Sequence, residues 1–288
     1  MKLSIITINY NNAAGLKKTL DSVAIQTYTD FEHIIVDGAS SDGSVDVIRE
    51  YEQSLASNLS PLASRLKWIS EKDTGIYNAM NKGIYMAIGE YLLFLNSGDY
   101  LVDKNVLTNV CKELDGIDII QGNIIEDYPK WSCRYRGYGK SNITFIDVIN
   151  GHFLHQATFF YHKLFETYGM YEDKFKKCSD TYFYIRCLGL GNATFKYVDI
   201  DIANFDTNGI SSMKDPKWIQ IDKEEDAIWY GENFSKRLID FYTSAPHKIN
   251  LYDTLKQNKF IWKIVCLLVK LTNYLYKTES KIKREIIR

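Results

Sequence analysis

The chain has 288 residues, of which 45% are hydrophobic and 25% charged, and its formal net charge is -1. This composition is typical of a soluble globular protein with a sizeable core, and it argues against disorder, collagen-like repeats and many membrane spans. The balanced charge argues against a dedicated nucleic-acid binder. The charge is uneven, however, because residues 251–288 carry nine basic and three acidic side chains, which leaves a net of -7 on the remainder.

The cysteine pattern and the hydropathy of the sequence indicate the cellular compartment in which the protein is found. The five cysteines are scattered without a Cys-x-x-Cys pair, which argues against a zinc site or a disulfide framework and favours a reducing compartment. The apolar run 3–8 is too short for the core of a signal peptide, and no uncharged apolar run is long enough to span a membrane. We therefore expect a cytoplasmic protein.

The first 125 residues alternate apolar runs with segments of helical periodicity. The runs predict strands at 3–8, 33–37, 66–70, 91–96 and 118–121. Apolar residues spaced by three and four predict intervening helices around 16–24, 47–55 and 76–87. This alternation is typical of βαβ units, so it predicts an α/β fold with a mostly parallel central sheet flanked by helices.

Small, polar and acidic residues follow four of these strands. They occupy 9–12, 37–44, 71–75 and 96–99. Right-handed crossovers place the carboxyl ends of parallel strands at one edge of the sheet, and the ligand crevice of open α/β sheets lies outside that edge. Such residues are also ordinary turn and cap residues, but four loops together indicate an acidic site. An acidic site suits a divalent cation and a diphosphate leaving group.

Beyond residue 125 the pattern is irregular. Helical segments are predicted near 142–150 and 180–188, and a helix of mixed charge is predicted over 217–242. Pro216 marks a plausible boundary before that last helix. The predicted domains are accordingly 1–215, with halves at 1–125 and 126–215, and a helical extension over 216–288.

Three segments together resemble the family 2 glycosyltransferases of GT-A fold. They are LSIITINYN at 3–11, VDGASSDGS at 36–44 and FLNSGD at 94–99, and their order and spacing match over roughly 1–215. A further run, DTGIYNAMNKG at 73–83, resembles a subgroup common in bacterial surface-polysaccharide assembly. The resemblance implies a Rossmann-like GT-A domain with a C-terminal helical extension. It also implies inverting transfer of a sugar from a nucleoside diphosphate to a hydroxyl group of a glycan or lipid-linked acceptor.

The same resemblance implies the residues on the donor side. Those expected to bind the nucleotide sugar are Ile8, Asn9, Tyr10, Asp37, Asp73, Ser97 and Gly98. Asp99 is expected to bind Mg²⁺ or Mn²⁺ on the diphosphate. The chain departs here from the family's Asp-x-Asp-Asp motif, because 96–99 retains one of three acidic positions. Either Asp99 holds the metal with water and phosphate oxygens, or metal binding is weaker or depends on the donor.

On the acceptor side the resemblance points to Asp180 as the catalytic base. Asp180 stands at the start of a predicted helix, where it would take the proton of the acceptor hydroxyl. The alternative is that Asp180 only caps the helix. His155 and Gln156 are expected to face the acceptor, and Ser211 lies in a segment resembling a loop that closes over the diphosphate.

The segment 256–281 predicts an amphipathic helix with a narrow stripe of Lys and Asn and a wide apolar face. That face either packs on protein, including a second copy in a homodimer, or lies in the membrane interface with its lysines reaching anionic headgroups. The basic cluster at 281–284 favours peripheral contact with the inner face of the cell membrane.

Two other functions fit parts of the sequence. A nucleotidyltransferase on a related α/β sheet should have a basic loop after its first strand, but 9–15 holds no Lys or Arg. A non-catalytic glycan-binding or scaffold protein would agree with the reduced metal motif. The combined motifs favour the glycosyltransferase.

Overall fold

The computed structural model describes residues 1–128, 131–144, 147–148, 153–207 and 215–234. One compact unit runs from Met1 to Asp226 and a second from Ala227 to Arg288. Residues 145–146 and 149–150 of the helix predicted near 142–150, the loop containing Ser211 and the basic segment 251–288 lie outside the described residues.

Nine strands form one mixed sheet. Their bounds are β1 Leu3–Asn9, β2 Phe31–Asp37, β3 Leu66–Ser70, β4 Tyr91–Phe94, β5 Tyr100–Leu101, β6 Ile119–Tyr128, β7 Trp131–Tyr135, β8 Thr158–Tyr161 and β9 Phe195–Phe205. The order across the sheet is β3-β2-β1-β4-β8-β6-β9-β5, with β7 paired to β6.

Seven α-helices are described. They are α1 Ala13–Ala24, α2 Ser44–Ser57, α3 Ile76–Met86, α4 Val106–Val110, α5 Lys163–Tyr168, α6 Ser179–Tyr184 and α7 Pro216–Asn233. Short 3-10 turns occur at Pro61–Arg65, Cys111–Glu113 and His155–Ala157, and a π-helical turn follows α6 at Ile185–Leu190.

The predicted βαβ half of the fold is confirmed. β1 pairs in parallel with both β2 and β4, and β2 pairs in parallel with β3. The register places Asn9 opposite Asp37 and Asp37 opposite Ser70. The loops that follow the four strands therefore begin at one edge of the sheet, as the crossover rule requires.

The second half of the sheet departs from a simple βαβ pattern. β8 lies antiparallel between β4 and β6, while β6 and β9 pair in parallel. The strand predicted at 118–121 extends to Tyr128, and the strand predicted at 91–96 ends at Phe94. The helix predicted near 180–188 is divided into α6 and the π-helical turn, a distortion that periodicity alone does not reveal.

The core lies on both faces of the sheet because every residue of β1 is buried. Leu3 and Ile5 point to one apolar cluster, which α1 and α2 cover. Ile6 and Ile8 point to the opposite cluster, which α3, α5 and α6 cover. Continuous burial of this kind is typical of parallel strands with helices on both faces.

A buried histidine couples the stability of this core to pH. The imidazole of His33 on β2 lies 2.9 Å from Thr7 Oγ1 and 3.2 Å from the hydroxyl of Tyr51. Burial lowers the pKa of His33 to about 3. The folded protein therefore keeps this ring neutral, whereas the unfolded chain takes up a proton below pH 6.5.

We predict that the free energy of unfolding falls as the pH is lowered from 6.5 to about 3, because the unfolded state gains this proton and the folded state does not. The His33 side chain should contribute up to about 1.4 kcal/mol of this loss per pH unit. The His33→Gln variant should lose less free energy of unfolding over that window. Urea titrations of both proteins at about pH 7 and pH 4 measure the difference. Equal losses in the two proteins would contradict the assignment.

Candidate functional site

Four hydrogen bonds converge on the carboxylate of Asp37 at the end of β2. Oδ1 accepts from Asn9 Nδ2 at 2.7 Å and from Ser40 Oγ at 2.6 Å. Oδ2 accepts from the Ser40 amide at 3.0 Å and from Ser70 Oγ at 2.6 Å. A carboxylate has about four lone-pair positions, so this set fills them. A ligand that bonded Asp37 would have to replace one of these donors.

The ionised form of Asp37 is favoured although the side chain is fully buried. Burial by itself would raise the pKa of Asp37, but the hydrogen bonds from Ser40, Ser70 and Asn9 lower it below its ordinary value. These donors come from the ends of β1 and β3 and from the loop after β2. Their hydrogen bonds to the Asp37 carboxylate therefore hold the starts of the loops that follow these three strands in place.

Tyr10 and Asp73 approach each other across Gly38. A Cβ atom on Gly38 would lie 2.7 Å from Asp73 Oδ2 and 3.1 Å from Tyr10 Cδ2, so a larger residue would disturb both side chains. The ring of Tyr10 is 68% exposed. The two neighbouring turns include Asn11 and Ala39 with φ angles of 48° and 60°, a conformation that costs energy in residues other than glycine.

The loop 96–99 is fastened to α1. Asn12 Nδ2 donates to the Ser97 carbonyl at 3.1 Å, and the hydroxyl of Thr19 donates to the Asp99 carbonyl at 2.6 Å. Thr19 Oγ1 also accepts from the Gly98 amide at 3.0 Å. The predicted donor residues Ser97, Gly98 and Asp99 are thus held beside the end of β1, where the Ser97 amide donates to the Ile8 carbonyl.

Asp99 is buried and lies next to a second carboxylate. Its Oδ1 accepts from the Asp206 amide at 2.8 Å, and the position of a Cβ on Gly98 would be 2.5 Å from Asp206 Oδ2. Burial raises the pKa of Asp99 to about 7, aided by the negative charge of Asp206 and opposed by hydrogen bonds from Asp206 and Gln156. Within the described residues no group of three or more His, Cys, Asp or Glu side chains could hold a metal ion.

Asp180 occupies the first turn of α6 and is held by three donors. Oδ1 accepts from the hydroxyl of Tyr77 at 2.8 Å and from the Thr181 amide at 2.9 Å, while Oδ2 lies 3.1 Å from His155 Nδ1. Burial would raise the pKa of Asp180, but the bonds to His155 and Tyr77 lower it below its ordinary value. The side chain is 14% exposed, so the ionised carboxylate is reachable.

His155 connects this carboxylate to the loop 96–99. Its Nε2 lies 3.2 Å from Nδ2 of Asn96, the first residue of that loop. Burial would lower the pKa of His155, but the hydrogen bond to Asp180 and the charges of Asp180 and Asp99 raise it above its ordinary value. The predicted donor-side and acceptor-side residues therefore belong to one network.

Helix α7 supports the segment before α6. The carboxylate of Glu225 accepts from the amides of Lys176, Lys177 and Cys178, and it is buried. Asp222 lies 2.6 Å from Lys177 Nζ. Three successive amides directed at one carboxylate form an anion-binding concavity, which here fixes the chain two residues before Asp180.

Several residues of this site were missed by the sequence analysis. They are Tyr77, Asn96, Asp206, Asp222 and Glu225. Asp206 had a usable signal, since it directly follows β9 just as the acidic loops follow the other strands. Tyr77 lies in the quoted run 73–83 but was not singled out there. Nothing local distinguishes Glu225 from other acidic residues of its helix.

Sequence comparison identifies the family. Residues 4–177 match the family described as Glycosyl transferase family 2. The chain belongs to glycosyltransferase family 2. A PGL/p-HBAD biosynthesis glycosyltransferase of Mycobacterium bovis is 32% identical over 209 residues, which cover 72% of this chain and 77% of the relative. An uncharacterized glycosyltransferase of Mycobacterium tuberculosis is 32% identical over 230 residues, which cover 74% of this chain and 78% of that one.

Solved structures share the fold. The S. aureus TarS fragment 1–349 superposes with a TM-score of 0.59 at 20% identity, covering 72% of this chain and 61% of its own. The mannosyltransferase PcManGT from Pyrobaculum calidifontis, solved with GDP-Man and Mn²⁺, gives a TM-score of 0.54 at 16% identity, covering 95% of this chain and 87% of its own. The predicted GT-A fold and glycosyltransferase class are confirmed, and nucleotidyl transfer is not favoured.

Proposed function

We propose that this glycosyltransferase inverts the anomeric centre as it moves a sugar from a nucleoside diphosphate to an acceptor hydroxyl. The observation that carries the proposal is the state of Asp180. Tyr77 and Thr181 both donate to Oδ1, whereas Oδ2 has a single hydrogen-bond partner among the described residues, His155. One lone-pair position of Oδ2 is therefore open to an acceptor hydroxyl.

The proposed reaction uses the ionised carboxylate of Asp180 as its base. The acceptor oxygen attacks the anomeric carbon and forms the new C–O bond, while the bond from that carbon to the β-phosphate oxygen breaks. The electron pair of the broken bond leaves with the nucleoside diphosphate, and the proton of the acceptor hydroxyl moves to Asp180 Oδ2. General-base assistance of this kind typically contributes about 10²–10⁴-fold.

We further propose that Asp99 holds Mg²⁺ or Mn²⁺, with Asp206 beside it. A carboxylate whose pKa is raised to about 7 by burial is poorly stabilised as an anion, so a cation would relieve that cost. One or two carboxylates plus substrate phosphates are a common set for Mg²⁺, which fits the reduced motif at 96–99. When bound, such a cation neutralises charge on the diphosphate leaving group.

The donor and acceptor classes are inferred from family members. TarS was solved with UDP-GlcNAc and PcManGT with GDP-Man, so a UDP- or GDP-sugar is the proposed donor. Ile8, Asn9, Tyr10, Asp37 and Asp73 are the residues proposed to bind its nucleoside. A glycan or lipid-linked hydroxyl in surface polysaccharide synthesis is the proposed acceptor.

The donor and the base can be tested together. We predict that the protein releases nucleoside diphosphate from at least one of UDP-GlcNAc, UDP-glucose and GDP-mannose in the presence of Mn²⁺, and faster with simple aryl glycosides as acceptors. Asp180→Asn should lower kcat by about 10²–10⁴-fold while the Kd for UDP or GDP changes little. The matched control is Asp173→Asn, seven residues earlier and exposed. Full activity of a folded Asp180→Asn protein would exclude Asp180 as the base.

Metal binding can be tested without turnover. We predict that Mn²⁺ together with UDP or GDP raises the Tm of the wild type, because a ligand at about 100 times its Kd stabilises the folded state by about 2.7 kcal/mol. Asp99→Asn should remove the Mn²⁺-dependent part of this shift. Asp21→Asn, at an exposed position of α1, should keep it. An unchanged Mn²⁺ effect in Asp99→Asn would contradict the assignment.

We also propose that 251–288 contacts the cytoplasmic membrane surface, on the basis of its sequence pattern. Among the described residues, no helix combines the length and apolar character needed to cross a bilayer. Replacing Lys281, Lys283 and Arg284 with Gln should remove about 3 kcal/mol of attraction to anionic lipid, or roughly 10²-fold in binding. Flotation with phosphatidylglycerol and phosphatidylcholine vesicles measures this. If a chain ending at 250 floats as well as the full chain, the segment is not an anchor.

A further inference from the structure

We propose that His155 acts as a positioning residue that ties the base Asp180 to the donor-side loop 96–99. This inference rests on the proposed function and adds a residue that sets its geometry. His155 stands in a 3-10 turn, and its ring lies 3.1 Å from Asp180 Oδ2 through Nδ1 and 3.2 Å from Asn96 Nδ2 through Nε2. One imidazole thus joins the proposed base to the first residue of the donor-side loop.

The hydrogen bonds define the tautomer of His155. The ionised carboxylate of Asp180 can only accept, so the Nδ1 atom of His155, 3.1 Å from Oδ2, must carry a proton. In the neutral ring Nε2 is then an acceptor, and it faces Asn96 Nδ2 at 3.2 Å. A directed chain of hydrogen bonds therefore runs from Asn96 through His155 to Asp180.

This chain acts on the oxygen that matters for catalysis. Oδ1 of Asp180 is already occupied by Tyr77 and Thr181, which leaves Oδ2 to receive the acceptor proton. His155 is the group that fixes where the open lone pair of Oδ2 points. His155 acts through Asp180, so it is a positioning residue.

The turn that carries His155 is rigidly placed. His155, Gln156 and Ala157 are all buried, and the Ala157 amide donates to the Leu154 carbonyl at 2.9 Å. The next residue begins β8, which pairs with β4 on one side and β6 on the other. Because β4 leads directly into the loop 96–99, the distance between His155 and that loop is set by the sheet.

The consequence is a fixed separation between the leaving group and the base. In-line displacement needs the acceptor oxygen and the anomeric carbon about 3–3.5 Å apart and aligned, and an error of about 1 Å can cost 10²-fold in rate. Removal of His155 should therefore lower kcat through Asp180 while donor binding is retained.

Histidine ¹⁵N NMR tests the geometry independently of turnover. At high pH, where the ring is neutral, we expect the His155 signal to show the Nδ1–H tautomer, whereas Nε2–H is preferred by free histidine in water. His155→Phe assigns the signal by its disappearance. Asp180→Ala should shift the tautomer equilibrium towards Nε2–H. A wild-type ring with its proton on Nε2 could not donate to Asp180, and that result would overturn the proposal even in the absence of an identified donor.

Kinetics test the functional consequence, with hydrolysis of UDP-GlcNAc and GDP-mannose as probes. His155→Phe should lower kcat by about 10²-fold with little change in the KM for the donor. His155→Asn, which places an amide donor near the position of Nδ1, should recover much of the loss. The double variant His155→Phe with Asp180→Asn should be no slower than Asp180→Asn alone, because both act through one group. His162→Phe, at the far end of β8, is the matched control.

Unchanged kcat in His155→Phe, or losses that simply add in the double variant, would overturn the positioning role. If the wild type hydrolyses none of UDP-GlcNAc, UDP-glucose and GDP-mannose, the proposed function is contradicted, and the NMR result alone decides the positioning proposal.

Discussion

The candidate site depends on the desolvation of carboxylates at the carboxyl edge of a parallel sheet. Taking an ionised carboxylate out of water is costly unless hydrogen bonds or opposite charges replace the lost hydration. Asp37, Asp99 and Asp180 are all withdrawn from solvent, and the groups that compensate them come from different parts of the chain. Satisfying these three charges is therefore what draws the loops of the site together.

The three carboxylates meet this constraint to different extents. Asp37 receives four donors and stays ionised, so its charge serves mainly to order the surrounding loops. Asp180 receives three donors and stays ionised with one position free, as a base requires. Asp99 is less well compensated and has a second carboxylate beside it, so its pKa rises to about 7. All three carboxylates stand at the same edge of the sheet. The number of donors distinguishes the organising role of Asp37 from the roles proposed for Asp180, as a base, and for Asp99, as a cation ligand.

Much of this site could be predicted from the sequence, because the relevant residues stand where parallel strands end. The prediction placed Asn9, Asp37 and Asp99 correctly at the sheet edge, since strand alternation fixes that edge without knowledge of side-chain contacts. The link from His155 to Asp180 could not be predicted, because the two residues are 25 positions apart and meet only after β8 inserts antiparallel between β4 and β6. The contribution of Glu225 could not be predicted either. Spacing rules show which residues share a face of a helix, but they do not show that a side chain accepts hydrogen bonds from the backbone amides of a distant loop.

The contact between Glu225 and the amides of 176–178 also determines where this chain can be joined to a C-terminal segment from a relative. A cut at the predicted boundary of 215 would remove the carboxylate that accepts hydrogen bonds from the amides of 176–178, just before Asp180. The first turns of α7 are thus physically part of the unit that contains Asp180, which agrees with a compact unit ending at Asp226. Exchange of C-terminal segments between relatives, whether by gene fusion or by engineering, preserves this support of the proposed base only when the junction falls after that residue.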